Sequence, residues 1–303
     1  MFHRILVPLD GSAVSEQALP VAKHLWEKGD AEVRFIHVLD FTSPIPRDVE
    51  NPDDWRGCVT RDAECYLSRS AAQFGGTSLG KVTTVVREGG QVHGILEEAQ
   101  AWQADLILMA THGRGGIDRV WLGSVADSVV REGKLPVLLI RAQQTTSETF
   151  SRFAHVLIAV DDAQLSKQII QPAVELARID RSRLTLLHIL HPWLAPLQVL
   201  ANAAGIPEMA EDAIRGRIED AEPELAETAW SLDASLQDVT AHVQVGQWTV
   251  AADILNYASK YGVDLIALAT RGRAGLPRAI LGSTADEVIR RAQVPVLVLR
   301  PGT

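Results

Sequence analysis

One long segment of this chain occurs twice. Residues 106–140 read LILMATHGRGGIDRVWLGSVADSVVREGKLPVLLI and residues 265–299 read LIALATRGRAGLPRAILGSTADEVIRRAQVPVLVL, so Gly113, Gly123, Ser124, Asp127 and Pro136 each return 159 positions later. A repeat of this length implies a duplicated domain. It also lets the chain be compared with itself, separating features kept in both halves from features present in one.

The first copy opens with HRILVPLD, an Ile, Leu and Val run suited to a buried parallel strand. GSAVSEQALPVAKHLWEKG follows, with Ser12 placed to cap a helix. Next come the strand EVRFIHVLD, an irregular stretch from Phe41 to about Cys58, a helix to about Phe74 and the strand KVTTVVREG. A helix from about Val92 to Gln103, the strand ADLILMA, a Gly-rich loop, a helix from Val125 and the strand PVLLIRA complete the copy. The second copy repeats the order with HVLIAVDD, a helix to about Ile179, SRLTLLHIL, a long loop, a helix from about Glu208 to Trp230, and DVTAHVQVG. It ends with a helix from about Val250 to Lys260, VDLIALA, a second Gly-rich loop, a helix and PVLVLR. Strands alternating with helices predict α/β architecture, here two tandem, doubly wound parallel sheets of five strands.

Asp10 matches Asp161 and His37 matches His188 at an offset of 151, while the Gly-rich segments match at 159. The second copy therefore needs a net eight extra residues between its second strand and its Gly-rich loop, where loops absorb length changes. The polar stretch RAQQTTSETFSRF has no periodic apolar face and reads as a linker between domains at 1–144 and 152–303.

Composition narrows the function classes. A net charge of -9 argues against a nucleic-acid partner, whose recognition relies on clustered basic surface. No apolar run reaches the roughly 18–20 residues of a spanning helix, and MFHRILVPLDGS lacks a signal-peptide core, so a cytoplasmic location is expected. Cys58 and Cys65 make neither a disulfide framework nor a zinc site and are expected to be free thiols.

In an open parallel sheet, ligands bind at the carboxyl ends of strands where strand order reverses. Pro8 and Asp10, Val38, and the loop from Ala110 through Gly113 to Gly123-Ser124-Val125 fall there. Glycines at 113, 115, 116 and 123 permit close backbone approach to an anion, and Gly123-Ser124 opens a helix whose free N–H groups favour phosphate. Arg114 and Arg119 recur as Arg273 and Arg278, placing positive charge on the same loop twice. A plainer reading is that Ser124 with Asp127, and Ser283 with Asp286, have the spacing of a helix-capping box. His37 and His188 lie within apolar strands and are expected to be structural. His112 borders the expected pocket but has no carboxylate or cysteine nearby in sequence to make it a base. No metal constellation and no nucleophile-base arrangement is legible, so no catalytic residue is expected.

The combination VPLDGS, FIHVLD, ATHGRGG…WLGSVAD and LPVLLI resembles the universal stress protein family, and IAVDD, LLHIL, ATRGRAG…ILGSTAD and VPVLVL look like a second, diverged copy. The resemblance spans essentially the whole chain. It implies a Rossmann-like fold of the adenine nucleotide alpha hydrolase type and a ligand that is ATP, or AMP or ADP, with magnesium as an accompanying ion. By position, Asp10 would hold the ribose or adenine edge and Pro8 and Val38 would border the adenine. Gly113, Gly123, Ser124 and Val125 would hold the phosphates, and Met109, Ala110 and Arg114 would complete the first site. Asp161, Ile189, Ala269, Gly272, Arg273, Gly282, Ser283 and Thr284 would form the second. Ala110 and Ala269 stand where the family has its first glycine. The second copy departs further, with Ala159 for Pro8, Asp162-Ala163 for Gly11-Ser12 and Arg271 for His112.

The last strand of each copy is expected to be a sheet edge, and the resemblance implies that these edges pair across a pseudo-twofold axis, with further homodimerisation open. Two function classes follow. One is a stress or signalling protein in which adenine nucleotide biases conformation or partner binding; the other is a nucleotide-free scaffold or carrier using the apolar segment at 192–206, with Trp193, Leu194, Leu197, Val199 and Leu200. Nothing resembles a P-loop.

Overall fold

A computed structural model describes residues 2–41, 49, 51–75, 81–111, 123–142, 150, 152–161, 166–190, 204, 207–232, 236, 238–270 and 281–301. The chain divides into two compact units, Met1–Arg152 and Phe153–Thr303. No helix among the described residues is long and apolar enough to cross a membrane.

The first unit contains strands β1 (Arg4–Pro8), β2 (Glu32–Leu39), β3 (Val82–Glu88), β4 (Leu106–Thr111) and β5 (Val137–Arg141). Its helices are α1 (Leu19–Gly29), α2 (Pro52–Gly75), α3 (Gln91–Ala101) and α4 (Ser124–Glu132). Strand order is β3-β2-β1-β4-β5 and every pair is parallel. The order reverses between β1 and β4, as a doubly wound sheet requires. Ile5, Leu6, Val7, Phe35, Leu106, Ile107 and Leu108 are essentially inaccessible, which explains why these strands read as continuous apolar runs rather than alternating ones.

The second unit repeats this with β6 (His155–Val160), β7 (Arg183–Leu190), β8 (Asp238–Val245), β9 (Leu265–Ala269) and β10 (Val296–Leu299). Its helices are α5 (Ile170–Asp180), α6 (Pro207–Ser231), α7 (Val250–Lys260) and α8 (Ser283–Arg291). The order is β8-β7-β6-β9-β10, parallel throughout, with the reversal between β6 and β9.

Two local expectations needed correction. Helix α2 begins at Pro52, six residues before Cys58. The Asn51 side chain accepts from the Asp53 N–H at 3.1 Å, Pro52 takes the first helical position and Asp53 and Asp54 occupy the first turn, a start signal that the polar stretch had hidden. Ser12 does cap a turn, accepting from the Ser15 N–H at 3.1 Å, but that turn is a 3-10 segment, Ser15–Ala18. Helix α1 proper starts at Leu19 on an Ala18 cap with no side-chain hydrogen bond.

Candidate functional site

The carboxyl ends of β1, β2 and β4 bring together Pro8, Asp10, Val38, Met109 and Ala110 at the reversal point of the first sheet. Pro8 pairs with Ile36, and Ala110 pairs with Ile140 near the end of β4. Just past β1, Gly11 adopts φ 79°, a left-handed turn that a side chain would strain. The turn directs the Ser12 N–H to Asp10 Oδ1 at 2.9 Å, and the Asp10 N–H reaches Ser15 Oγ at 3.3 Å. Burial pushes the Asp10 carboxyl up, but the hydrogen bonds from Ser12 and Ser15 outweigh it and hold the group below its ordinary value. Asp10 is thus a fixed, ionised and exposed acceptor, chemistry that suits a ligand hydroxyl or amino group.

Behind Asp10 lies a polar cluster that sequence reasoning missed. The Tyr66 hydroxyl on α2 donates to Glu16 Oε1 at 3.0 Å, and His37 on β2 meets the Tyr66 ring edge-on at 6.2 Å. Burial and then the Glu16 charge push the Tyr66 phenol up to about 12. Burial lowers the His37 imidazole against the pull of the Asp10 carboxylate, so the ring is neutral at pH 7. Its Nδ1 is buried with no hydrogen-bond partner among the described residues.

Val38 faces α3, where a Cβ on Gly94 would come within 2.9 Å of Val38 Cγ1. Gly94 is therefore required by close approach, and the helix seats the end of β2.

The capping-box reading of the repeated Ser-x-x-Asp does not describe these helices. Gly123 occupies the cap position of α4 and Ser124 is its first helical residue, while Asp127 is held by Arg131 at 2.7 and 3.0 Å. The same holds at Gly282, Ser283 and α8, with Asp286 bound by Arg290 at 2.7 and 2.9 Å. Gly123 has φ −55° and ψ 142°, and Gly282 φ −59° and ψ 142°, backbone angles open to any residue. Neither glycine is there for its dihedrals, and each forgoes the side-chain cap that serine or aspartate would supply. The initial N–H groups of α4 and α8, those of Ser124, Val125, Ser283 and Thr284 among them, have no acceptor within their own helices. Gly113, Arg114, Gly272 and Arg273, with His112, Arg119, Arg271 and Arg278, lie outside the described residues, as does the apolar segment around Trp193.

In the second unit, Asp161, Ile189 and Ala269 occupy the corresponding strand ends, and Ala269 pairs with Leu299. Asp161 lines a pocket with Val160, Lys167, His188, Glu224 and Thr228. Lys167 Nζ meets Glu224 Oε1 at 2.7 Å, a contact that, like the Tyr66 bond to Glu16, ties the turn after the first strand of the unit to its long helix. Where the first unit has Gly94, the second has Asp253, whose carboxylate accepts from the N–H groups of Gln247 and Trp248 at 3.1 and 3.2 Å. The charge change from Glu16 to Lys167 is visible at the 151 offset; their helix partners are not, because the offset has changed by the time the helix begins.

Among the described residues no group of three His, Cys, Asp or Glu side chains is arranged to hold a metal ion.

Comparison with known proteins agrees with this architecture. The model of the universal stress protein family matches residues 1–141 and again residues 152–300. A universal stress protein of Methanocaldococcus jannaschii is 31% identical over 145 residues, covering 46% of this chain and 83% of that protein. One of Mycobacterium bovis is 24% identical over 308 residues, covering 98% of this chain and 97% of the relative. The crystal structure of a universal stress protein from Archaeoglobus fulgidus superposes with a TM-score of 0.71 at 22% identity, over 99% of this chain and 98% of that one. The chain belongs to the universal stress protein family and carries two of its domains in tandem.

Proposed function

We propose that this protein binds ATP or a related adenine nucleotide, chiefly in its first unit, and acts in stress response or signalling through a nucleotide-dependent conformation or partner interaction. The observation that carries this reading is the pairing of opposite ligand-binding chemistries in one unit: the oriented Asp10 carboxylate at the strand reversal, and a helix whose cap, Gly123, has no dihedral reason to be glycine. Asp10 suits the hydroxyls of a ribose or the amino edge of a base. The uncapped start of α4 suits phosphate oxygens, and Gly123 lets them approach the backbone. Magnesium would travel with the phosphates rather than occupy a protein site. We assign no catalytic residue.

Ligand at 100 times its dissociation constant stabilises a folded unit by about 2.7 kcal/mol, so ATP with magnesium is expected to raise the melting temperature of the first unit. Denatured, chromatographed protein is expected to release adenine nucleotide if the complex survives purification. A melting temperature unmoved by ATP, AMP and ADP, together with the absence of released nucleotide, would favour the scaffold or carrier alternative.

A further inference from the structure

The two cysteines of the chain stand on one helix, seven residues apart. Both Cys58 and Cys65 are free and exposed. Seven residues make about two turns, so the thiols lie on the same face of α2 with their Cα atoms about 10 Å apart. A disulfide holds Cα atoms within about 7 Å, and the two thiols therefore cannot pair with each other while the helix stands. Asp54, Arg61, Asp62 and Arg69 share that face, because at roughly 100° per residue all six positions fall within an arc of about 100°. All six residues are exposed, while Ala63, Leu67 and Ser70 are buried on the opposite side of α2. Arg61 donates to Cys58 Sγ at 3.1 Å, Arg69 donates to the Cys65 carbonyl at 3.3 Å, and Asp54 accepts from Asn51 at 2.7 Å. These contacts are local, and the stripe faces solvent.

The order of charges along this stripe is complementary to its own reverse. Two copies of α2 laid antiparallel, with a twofold axis between Arg61 and Asp62, set Arg61 against the second copy's Asp62, Cys58 against its Cys65 and Asp54 against its Arg69. Each contact then occurs twice, as twofold symmetry requires. A parallel arrangement would set every charge against its like. Facing Cα atoms of helices packed about 10 Å apart at a shallow crossing are about 5–6 Å apart, a span that a disulfide closes. The second unit supplies the contrast. Tyr66 and Glu224 hold equivalent helical positions, since Ser70 Oγ donates to the Tyr66 carbonyl and Thr228 Oγ1 to that of Glu224, each one turn back, and the adjoining Leu67 and Leu225 are buried. At that alignment Gly216 and Pro223 replace the cysteines, and the exposed Asp212, Glu219, Asp220 and Glu227 replace the four charges. A stripe of four acids repels its own copy.

We propose that the exposed face of α2 is a docking surface for a second copy of this chain, and that peroxide converts the encounter into a covalent dimer through two Cys58–Cys65 disulfides. A single helix face falls short of the roughly 1,200–2,000 Å² of a stable interface, so the reduced pair is transient, held by exposed charges and sensitive to salt. Each disulfide consumes one peroxide. One thiol attacks it, giving a sulfenic acid and water; the facing thiol of the other copy attacks the sulfenic sulfur, forming the S–S bond and releasing a second water. The two electrons that reduce the peroxide come from the two sulfurs, and thiol–disulfide exchange with a reducing thiol returns them. The surface belongs to α2 alone and does not rest on the nucleotide assignment.

The test is cross-linking of the full chain by hydrogen peroxide in slight excess over thiol, read on non-reducing gels and by mass spectrometry of the linked peptides. Wild type is expected to give a reducible dimer joined Cys58 to Cys65. Cys58→Ser and Cys65→Ser are each expected to give no covalent dimer alone, whereas an equal mixture of the two gives a dimer held by one disulfide. Asp62→Lys places four positive charges at the axis and is expected to slow dimer formation about three- to tenfold, the worth of two exposed ion pairs. Arg61→Asp added to the same chain is expected to restore most of the rate. Covalent dimer from either serine variant alone, a disulfide within one chain, no dimer from wild type, or a rate indifferent to Asp62→Lys overturns the proposal.

Discussion

The two units solve one packing problem with different chemistry. In the first, Glu98 of α3 is buried beneath the sheet-facing side of the helix and bound by Arg34 at 2.7 Å and Arg87 at 2.8 Å, with the Arg34 guanidinium 4.5 Å over Trp102. In the second, the matching positions carry neutral groups. Tyr257 replaces Glu98 and Thr185 replaces Arg34, and Thr185 Oγ1 lies 2.9 Å from His155 Nε2 and 3.0 Å from Thr240 Oγ1. A charged cluster and a neutral network thus fill the same place on the same fold. The fold requires only that polar groups entering this layer be satisfied, and it leaves each unit with its own sensitivities.

The largest expected effect comes from unbalancing the charged cluster. Glu98→Gln leaves Arg34 and Arg87 facing an uncharged amide and is expected to destabilise the first unit by about 2–3 kcal/mol, below the full cost of breaking a buried pair because Arg87 is half exposed. Two-probe thermal unfolding checks this, with the second unit expected to melt as before. Next is Thr185→Val, which strips two partners from a buried network; the loss of about 1–2 kcal/mol is expected in the second unit alone, measured by urea denaturation.

Acid acts on both units through a histidine lowered by burial. Burial lowers the His155 imidazole below its ordinary value, so the unfolded second unit takes up protons first; the stability this contributes is present above about pH 6.5 and is lost as pH falls through the folded value. Burial raises the Glu98 carboxyl, but hydrogen bonds from Arg87 and Arg34 outweigh it and leave it low, so its contribution persists until pH drops below the ordinary carboxylate range. His155→Asn is therefore expected to flatten the stability of the second unit between pH 7 and 5. His37→Gln is expected to do the same for the first, since burial lowers that ring too. A His155→Asn profile parallel to wild type would show that another group governs the window. The smallest effect is expected for Tyr66→Phe, about 1 kcal/mol or less for one partly exposed hydrogen bond to Glu16, read from the melting temperature of the first unit.

Much of this was legible in sequence because parallel strands buried on both faces are written as apolar runs, such as ILV at residues 5–7 and LIL at 106–108, and because the duplication supplied each element twice. The start of α2 was not, since Asn51-Pro52-Asp53-Asp54 resembles a loop until a helix is known to follow. The strand-end residues Asp10 and Val38 could be named from their places in the pattern. Their supporting groups could not: Tyr66 reaches Glu16, and Glu98 reaches Arg34, across 50 and 64 residues, and no local periodicity records such a meeting. The exchange of Glu16 with Tyr66 for Lys167 with Glu224 becomes visible only when the fold aligns the two helices.

The central claim is that adenine nucleotide binds chiefly in the first unit, with its phosphates at the start of α4. Calorimetric titration of ATP with magnesium into wild type, Gly123→Val and Gly282→Val tests it most directly, because valine can adopt the backbone angles of both glycines. The expected result is loss of most of the binding heat in Gly123→Val and retention of most of it in Gly282→Val. Full binding by a folded Gly123→Val protein, or no binding by wild type, would contradict the account.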